Sequence, residues 1–152
     1  MSHVAEVKMK VLDLDALSAA CDAIGLQFKA GQRTYKWFGR WMNDYSGNRA
    51  AVTRGHDPKN FGKCDHAIEV RNNPSAYGIG LVPALDGIGY DMLYDNWQQG
   101  HGLEEVAGSN LDRLNNEYQA QVGTRALARE NALAVEREET ADYIVVRGLY
   151  AD

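Results

Sequence analysis

The sequence predicts an α+β domain: a mainly antiparallel sheet with two helices on one face, plus a basic and aromatic insert at 29–63. Three observations predict it. Several stretches alternate apolar and polar residues at spacing two, the period of a half-buried strand, while two others repeat apolar residues at spacings of three and four, the period of a helix. The order is strand, helix, several strands, helix, two strands, which suits helices gathered on one face of an antiparallel sheet. At 152 residues and 45% hydrophobic, the chain is long enough for one domain over 1–152 that buries about 70% of its unfolded surface.

The first strand is expected over 3–11, with His3, Ala5, Val7, Met9 and Val11 on one side and Glu6, Lys8 and Lys10 on the other. Asp13 or Asp15 can then cap a short helix whose stripe is Leu14, Leu17, Cys21 and Ile24, and Gly25 ends it. Cys21 on that stripe reads as a small buried hydrophobe. Residues 26–29 return as a strand. Over 33–42 an extended chain would put Tyr35, Trp37 and Trp41 opposite Lys36, Phe38 and Arg40, and a helix would stack Trp37 on Trp41 and Lys36 on Arg40. Both arrangements separate rings from cations. From 43 to 60 periodicity gives way to the turn signals Ser46-Gly47-Asn48, Gly55 and Asp57-Pro58.

A strand is predicted again over 64–71, with Cys64, His66, Ile68 and Val70 on one face and Asp65, Ala67, Glu69 and Arg71 on the other. Residues 77–82 form the next strand, where Gly78 and Gly80 imply that something approaches the backbone closely. Asp86-Gly87 turns the chain into a hairpin partner over 90–97. Gly100 and Gly102 bracket His101 in a loop. A long helix follows from Ser109 or Asn110 to about 131, burying Leu111, Leu114, Tyr118, Val122 and Ala126, with Ser109 and Asp112 approximating a capping box. Two strands over 133–138 and 143–149 close the chain.

Charge is polarised along this plan. The 29–63 segment holds eight of the sixteen Lys and Arg residues and only two acids, Asp44 and Asp57, so it carries +6 where the rest carries −11. Two of the three Trp and two of the three Phe lie there, with Tyr35 and Tyr45 beside them. Cations release counterions from phosphates and flat rings stack on bases, so Arg33, Lys36, Arg40, Arg49, Arg54, Lys59 and Lys63 with Tyr35, Trp37, Trp41 and Tyr45 could form an anion or nucleic-acid site. The acidic remainder would repel a long polyanion, which favours a nucleotide, a short strand or an acidic protein surface. The alternative is that the rings are core anchors and the cations a solvated face.

Other chemistry is less well served. Cys64 and His66 are weak metal candidates, since His56, His101 or His3 would have to join them, and a packed role for both is the simpler expectation. Asp65 and His66 point to opposite faces, and Asp91 and Asp95 stand about 13 Å apart along a strand, too far to act on one bond. No phosphate-binding loop, nucleophile elbow or His-Glu-x-x-His motif is present. The two cysteines fall in different elements, so reduced thiols are expected. No apolar run spans a membrane and the N-terminus lacks a signal-peptide core, so a cytoplasmic protein is expected.

The MSH opening with Asp13-Leu14-Asp15-Ala16-Leu17, the segments TYKWFGRW, GKCDHAI and AYGIGLV, and the helix and hairpin over 111–150 together resemble the uncharacterised family of hypothetical chloroplast reading frame 35. That family has cyanobacterial, plastid and tailed-phage members, the phage type carrying the basic insert. The resemblance implies a small phage-encoded α+β protein in the host cytoplasm and carries over no catalytic residues. The function expected is a non-catalytic accessory protein that binds an anionic partner through 29–63, in counter-defence or host takeover, with no cofactor and no membrane. A small enzyme acting on a nucleotide or nucleic acid through His66, His101 or an acid near Tyr94 and Asp95 is the alternative. An interaction domain without a ligand, forming a homodimer through Leu103, Val106, Tyr150 or an open strand edge, is the other.

Overall fold

A computed structural model describes residues 4–37, 56–57, 60–141 and 143–151. The expected α+β architecture is present. Five strands form one antiparallel sheet in the order β1-β5-β4-β3-β2, where β1 is Val4–Val11, β2 Leu26–Lys29, β3 His66–Val70, β4 Ile79–Pro83 and β5 Tyr90–Asp95. Helices α1 (Leu14–Ile24), α2 (Leu103–Ala107) and α3 (Asp112–Arg129) accompany it, and β6 (Ala134–Glu139) pairs with β7 (Ile144–Leu149) as a separate hairpin.

Local signals set most of these boundaries. Asp13 caps α1 by accepting the Ala16 N–H at 3.0 Å, and Gly25 ends it in the left-handed region at φ 90°, its N–H donating to the Cys21 carbonyl. Between β4 and β5 the Gly87 N–H donates to the Ala84 carbonyl at 2.9 Å, and Asp86 accepts the Ile88 N–H at 3.0 Å. The expected Ser109 cap does not form. Asn110 and Leu111 instead take left-handed angles, and α3 begins at Asp112 without a side-chain cap, while Leu111 is fully buried as expected.

Alternation gives the sheet two buried faces. Ile68, Ile79, Leu81, Met92 and Tyr94 fall on one, packed against Leu17, Ala20 and Cys21 of α1, Leu103 and Ala107 of α2, and Leu114 and Tyr118 of α3. The Tyr118 hydroxyl also accepts the Leu12 and Asp13 N–H groups at 3.0 and 3.2 Å, tying the entry of α1 to α3. Ala67 and Leu93 fall on the opposite face, where Tyr35, Phe61 and Cys64 cover them with Trp37 and Val82 at the margin. The described ends of the insert are therefore the second layer of the fold.

Candidate functional site

The insert enters as extended chain, which decides between the two expectations for its first part over the described residues. Thr34 bridges Lys63 in antiparallel register, the Tyr35 N–H donates to the Gly62 carbonyl at 3.0 Å, and the Cys64 N–H to the Arg33 carbonyl at 2.9 Å. Farther on, the Gly78 N–H donates to the Lys36 carbonyl at 2.8 Å, so the segment is stitched to the mouth of β4. Extension separates rings from cations, as the period of two requires.

The rings go inward. Tyr35 is 3% exposed and lies on Gly80, where a Cβ would run into its ring; a Cβ on Gly78 would meet the Ile68 carbonyl oxygen at 2.9 Å and the Tyr35 Cβ at 3.6 Å. Both glycines mark a close approach, of the Tyr35 ring at Gly80 and of the Ile68 carbonyl at Gly78. Its burial raises the phenol above the usual range. Trp37 occupies the space above Gly62 and meets the Phe61 ring edge-on at 6.3 Å. Tyr35 as a stacking surface is accordingly corrected: its ring is a core anchor, and Trp37 is half-buried.

The described cations stay outside. Arg33 is 74% exposed at its side chain and meets Asp65 at 2.8 Å, the Lys36 ammonium donates to the Pro74 carbonyl at 2.7 Å, and Lys63 is exposed. Arg40, Trp41, Tyr45, Arg49, Arg54 and Lys59 lie outside the described residues.

Cys64 and His66 do not share a face. A bend at Asp65 breaks the alternation before β3, sending Cys64 into the second core, where its thiol donates to the Gln32 carbonyl at 3.3 Å. His66 lies on the helix side, 5.6 Å from Phe28 and 5.3 Å from Tyr90 between ring centroids, and its Nδ1 accepts the Gly31 N–H at 2.9 Å. Among the described residues, no three His, Cys, Asp or Glu side chains gather as metal ligands. Burial, with the Asp65 charge adding to it, pushes the Cys64 thiol up to about 11, so it stays protonated at neutral pH and is poorly suited to attack.

Asp91 and Asp95, already too far apart along the strand to act on one bond, take different partners. Asp95 is fully buried and accepts the Trp97 N–H at 3.0 Å, a structural role at the end of β5. Asp91 pairs with His56, Nε2 to Oδ2 at 3.0 Å, both largely buried. His56, Phe61, Lys63, Cys64, Val82 and Leu93 help line a pocket of about 370 Å³, polar and apolar side chains together. Its volume suits a small ligand. The His56–Asp91 pair escaped the sequence because its members are 35 positions apart and neither sits in a motif. A second omission is the ring cluster of Tyr77, Trp97 and His101, whose only sequence trace is the pair of glycines around His101.

No helix among the described residues is long and apolar enough to cross a membrane. Set against protein-family models, curated proteins and solved structures, the chain has no match in any of the three comparisons.

Proposed function

We propose that this chain is a non-catalytic binding module that engages an anionic partner through the cationic outer side of the 29–63 segment. The partner would be a nucleotide, a short nucleic acid or an acidic protein surface, and the setting a phage accessory role in host takeover or counter-defence, as the resemblance to the reading-frame-35 family implies. The observation that carries the reading is the sorting of side chains over 33–37: Tyr35 and Trp37 anchor the segment on glycines, and Arg33 and Lys36 remain at the surface with Lys63. Anchors that fix a backbone while leaving its cations in water make a preorganised charged surface. The Arg33–Asp65 pair is exposed and weak, so a phosphate or carboxylate can replace Asp65 at small cost. The test is salt-dependent retention on heparin. Lys36→Glu combined with Lys63→Glu should elute at clearly lower salt with an unchanged far-UV spectrum; elution at the wild-type position would refute the reading.

The enzyme reading gains one observation, the His56–Asp91 pair beside a ligand-sized pocket. A carboxylate that orients an imidazole is the arrangement of a general base. Turnover of a nucleotide or nucleic acid that disappears in His56→Ala, with melting unchanged, would favour it.

A further inference from the structure

The described rings of the insert face inward, yet elsewhere a ring cluster built on the buried Tyr77 reaches the surface through Trp97 and His101. After β5 the chain makes one left-handed turn: Gln98, Gln99, Gly100 and His101 have φ of 48°, 53°, 70° and 52°. Three of these are not glycine, and L-residues avoid that region because Cβ crowds the next carbonyl. Such a turn persists only where its surroundings over-determine it. Here the buried Asp95 carboxylate accepts the Trp97 N–H at 3.0 Å, the Gln99 N–H donates to the Asn96 carbonyl at 3.1 Å, and the Tyr77 N–H donates to the Gly100 carbonyl at 2.9 Å.

The product of that turn is a cluster of flat side chains. The exposed His101 ring sits 4.7 Å from Tyr77 and 5.3 Å from the half-buried Trp97, tilted to both. The loop supplying Tyr77 also receives the insert, through the Lys36 ammonium on the Pro74 carbonyl at 2.7 Å and the Gly78 N–H on the Lys36 carbonyl at 2.8 Å. Rings and cation thus border one loop, 74–78. A flat ring surface beside an ammonium is what a base and its phosphate require, and stacking tolerates any base because each has a π face. An acidic protein surface would use the cation and leave the rings idle.

We propose that Trp97 and His101, backed by Tyr77 and flanked by Lys36, form a stacking site for the base of a nucleotide or short single strand whose phosphate meets Lys36. This rests on the anion-binding reading and specifies its ligand. The test is fluorescence anisotropy with a labelled oligothymidylate of about eight nucleotides, plus competition by AMP, in low and moderate salt. Wild type should bind. Trp97→Ala and His101→Ala should each weaken binding about tenfold with the salt slope unchanged, because they remove stacking and no charge. Lys36→Glu should weaken binding and flatten the slope. Displacement by AMP would identify the nucleotide as sufficient, and resistance to AMP would identify the strand; both support the proposal when the ring variants are defective. His101 is exposed, so its variant remains decisive should Trp97→Ala fail to fold. Failure of wild type to bind either probe, or wild-type affinity in His101→Ala and in a folded Trp97→Ala, overturns the stacking site. If the ring variants keep wild-type affinity while Lys36→Glu loses the oligonucleotide, or if wild type binds only a labelled polyglutamate and Lys36→Glu loses that, the anion-binding reading survives without it. If the ring variants fail but Lys36→Glu binds normally, the anion-binding reading is the one that falls.

Discussion

A methyl group on Gly80 would occupy the same space as the Tyr35 ring, and the strand cannot retreat because β3 and β5 pair with it on either side. Gly80→Ala should therefore cost about 1–3 kcal/mol, the usual range for overpacking a close contact, read as a lower urea midpoint with an unchanged slope. Replacing a charge on the same segment should do far less. Arg33→Ala removes one partner of an exposed pair, so stability should move by under about 1 kcal/mol in the same measurement. Together the two variants separate what holds the segment from what it displays. A large loss in Arg33→Ala with none in Gly80→Ala would reverse those assignments. The glycines at 78 and 80 announced close neighbours in the sequence, but not which ones, since the Ile68 carbonyl at Gly78 belongs to the neighbouring strand and Tyr35 at Gly80 lies more than forty positions upstream.

Among the elements, the C-terminal hairpin is the least secured. Two strands alone are marginal in water, so β6 and β7 depend on α3. Val146 packs where a Cβ on Gly123 of α3 would stand 2.9 Å away, and the Arg137 guanidinium reaches the buried Glu117 carboxylate at 2.7 Å. Arg137→Ala leaves that carboxylate buried without its cation, and since Arg137 is itself about one-third exposed, a loss of about 1–3 kcal/mol is expected. Hydrogen exchange should show the change first in the amides of β6 and β7, with those of β3 to β5 little affected. Uniform acceleration across the sheet would mean that the hairpin and sheet unfold as one unit. Elements defined by their own residues were legible: α1 through Asp13 and Gly25, the β4–β5 hairpin through Asp86-Gly87, and β6–β7 through two strand-like runs either side of a polar turn around Glu139 and Thr140. Elements defined by distant partners were not. The left-handed residues at 98–101 have no local signature beyond the glycines around His101, Leu111 has none, and Cys64 left the predicted face because of one bend.

For the whole molecule, the closing of one sheet on both faces has a consequence in alkali, because each core keeps an ionisable group neutral. On the helix side, burial and then the Asp22 charge push the Cys21 thiol from 9.0 up to about 12. On the insert side Cys64 is pushed up to about 11, and burial likewise raises the phenols of Tyr35 on that side and of Tyr94 on the helix side. In the unfolded chain these groups ionise near their ordinary values. Above about pH 9 the unfolded chain thus gives up protons that the folded chain keeps, so fewer protons are bound unfolded than folded and stability falls as pH rises. The contribution is fully present below pH 9 and is lost through the folded-state values. Melting temperatures taken between about pH 7.5 and pH 10.5 should decline, and Cys21→Ala and Cys64→Ala, each lower at neutral pH, should decline less steeply. Because the two thiols report on opposite faces, a shallower slope in only one variant would show which of the two faces shields its thiol. An unaltered slope in both would mean that neither thiol is shielded, and the two-faced core would have to be abandoned.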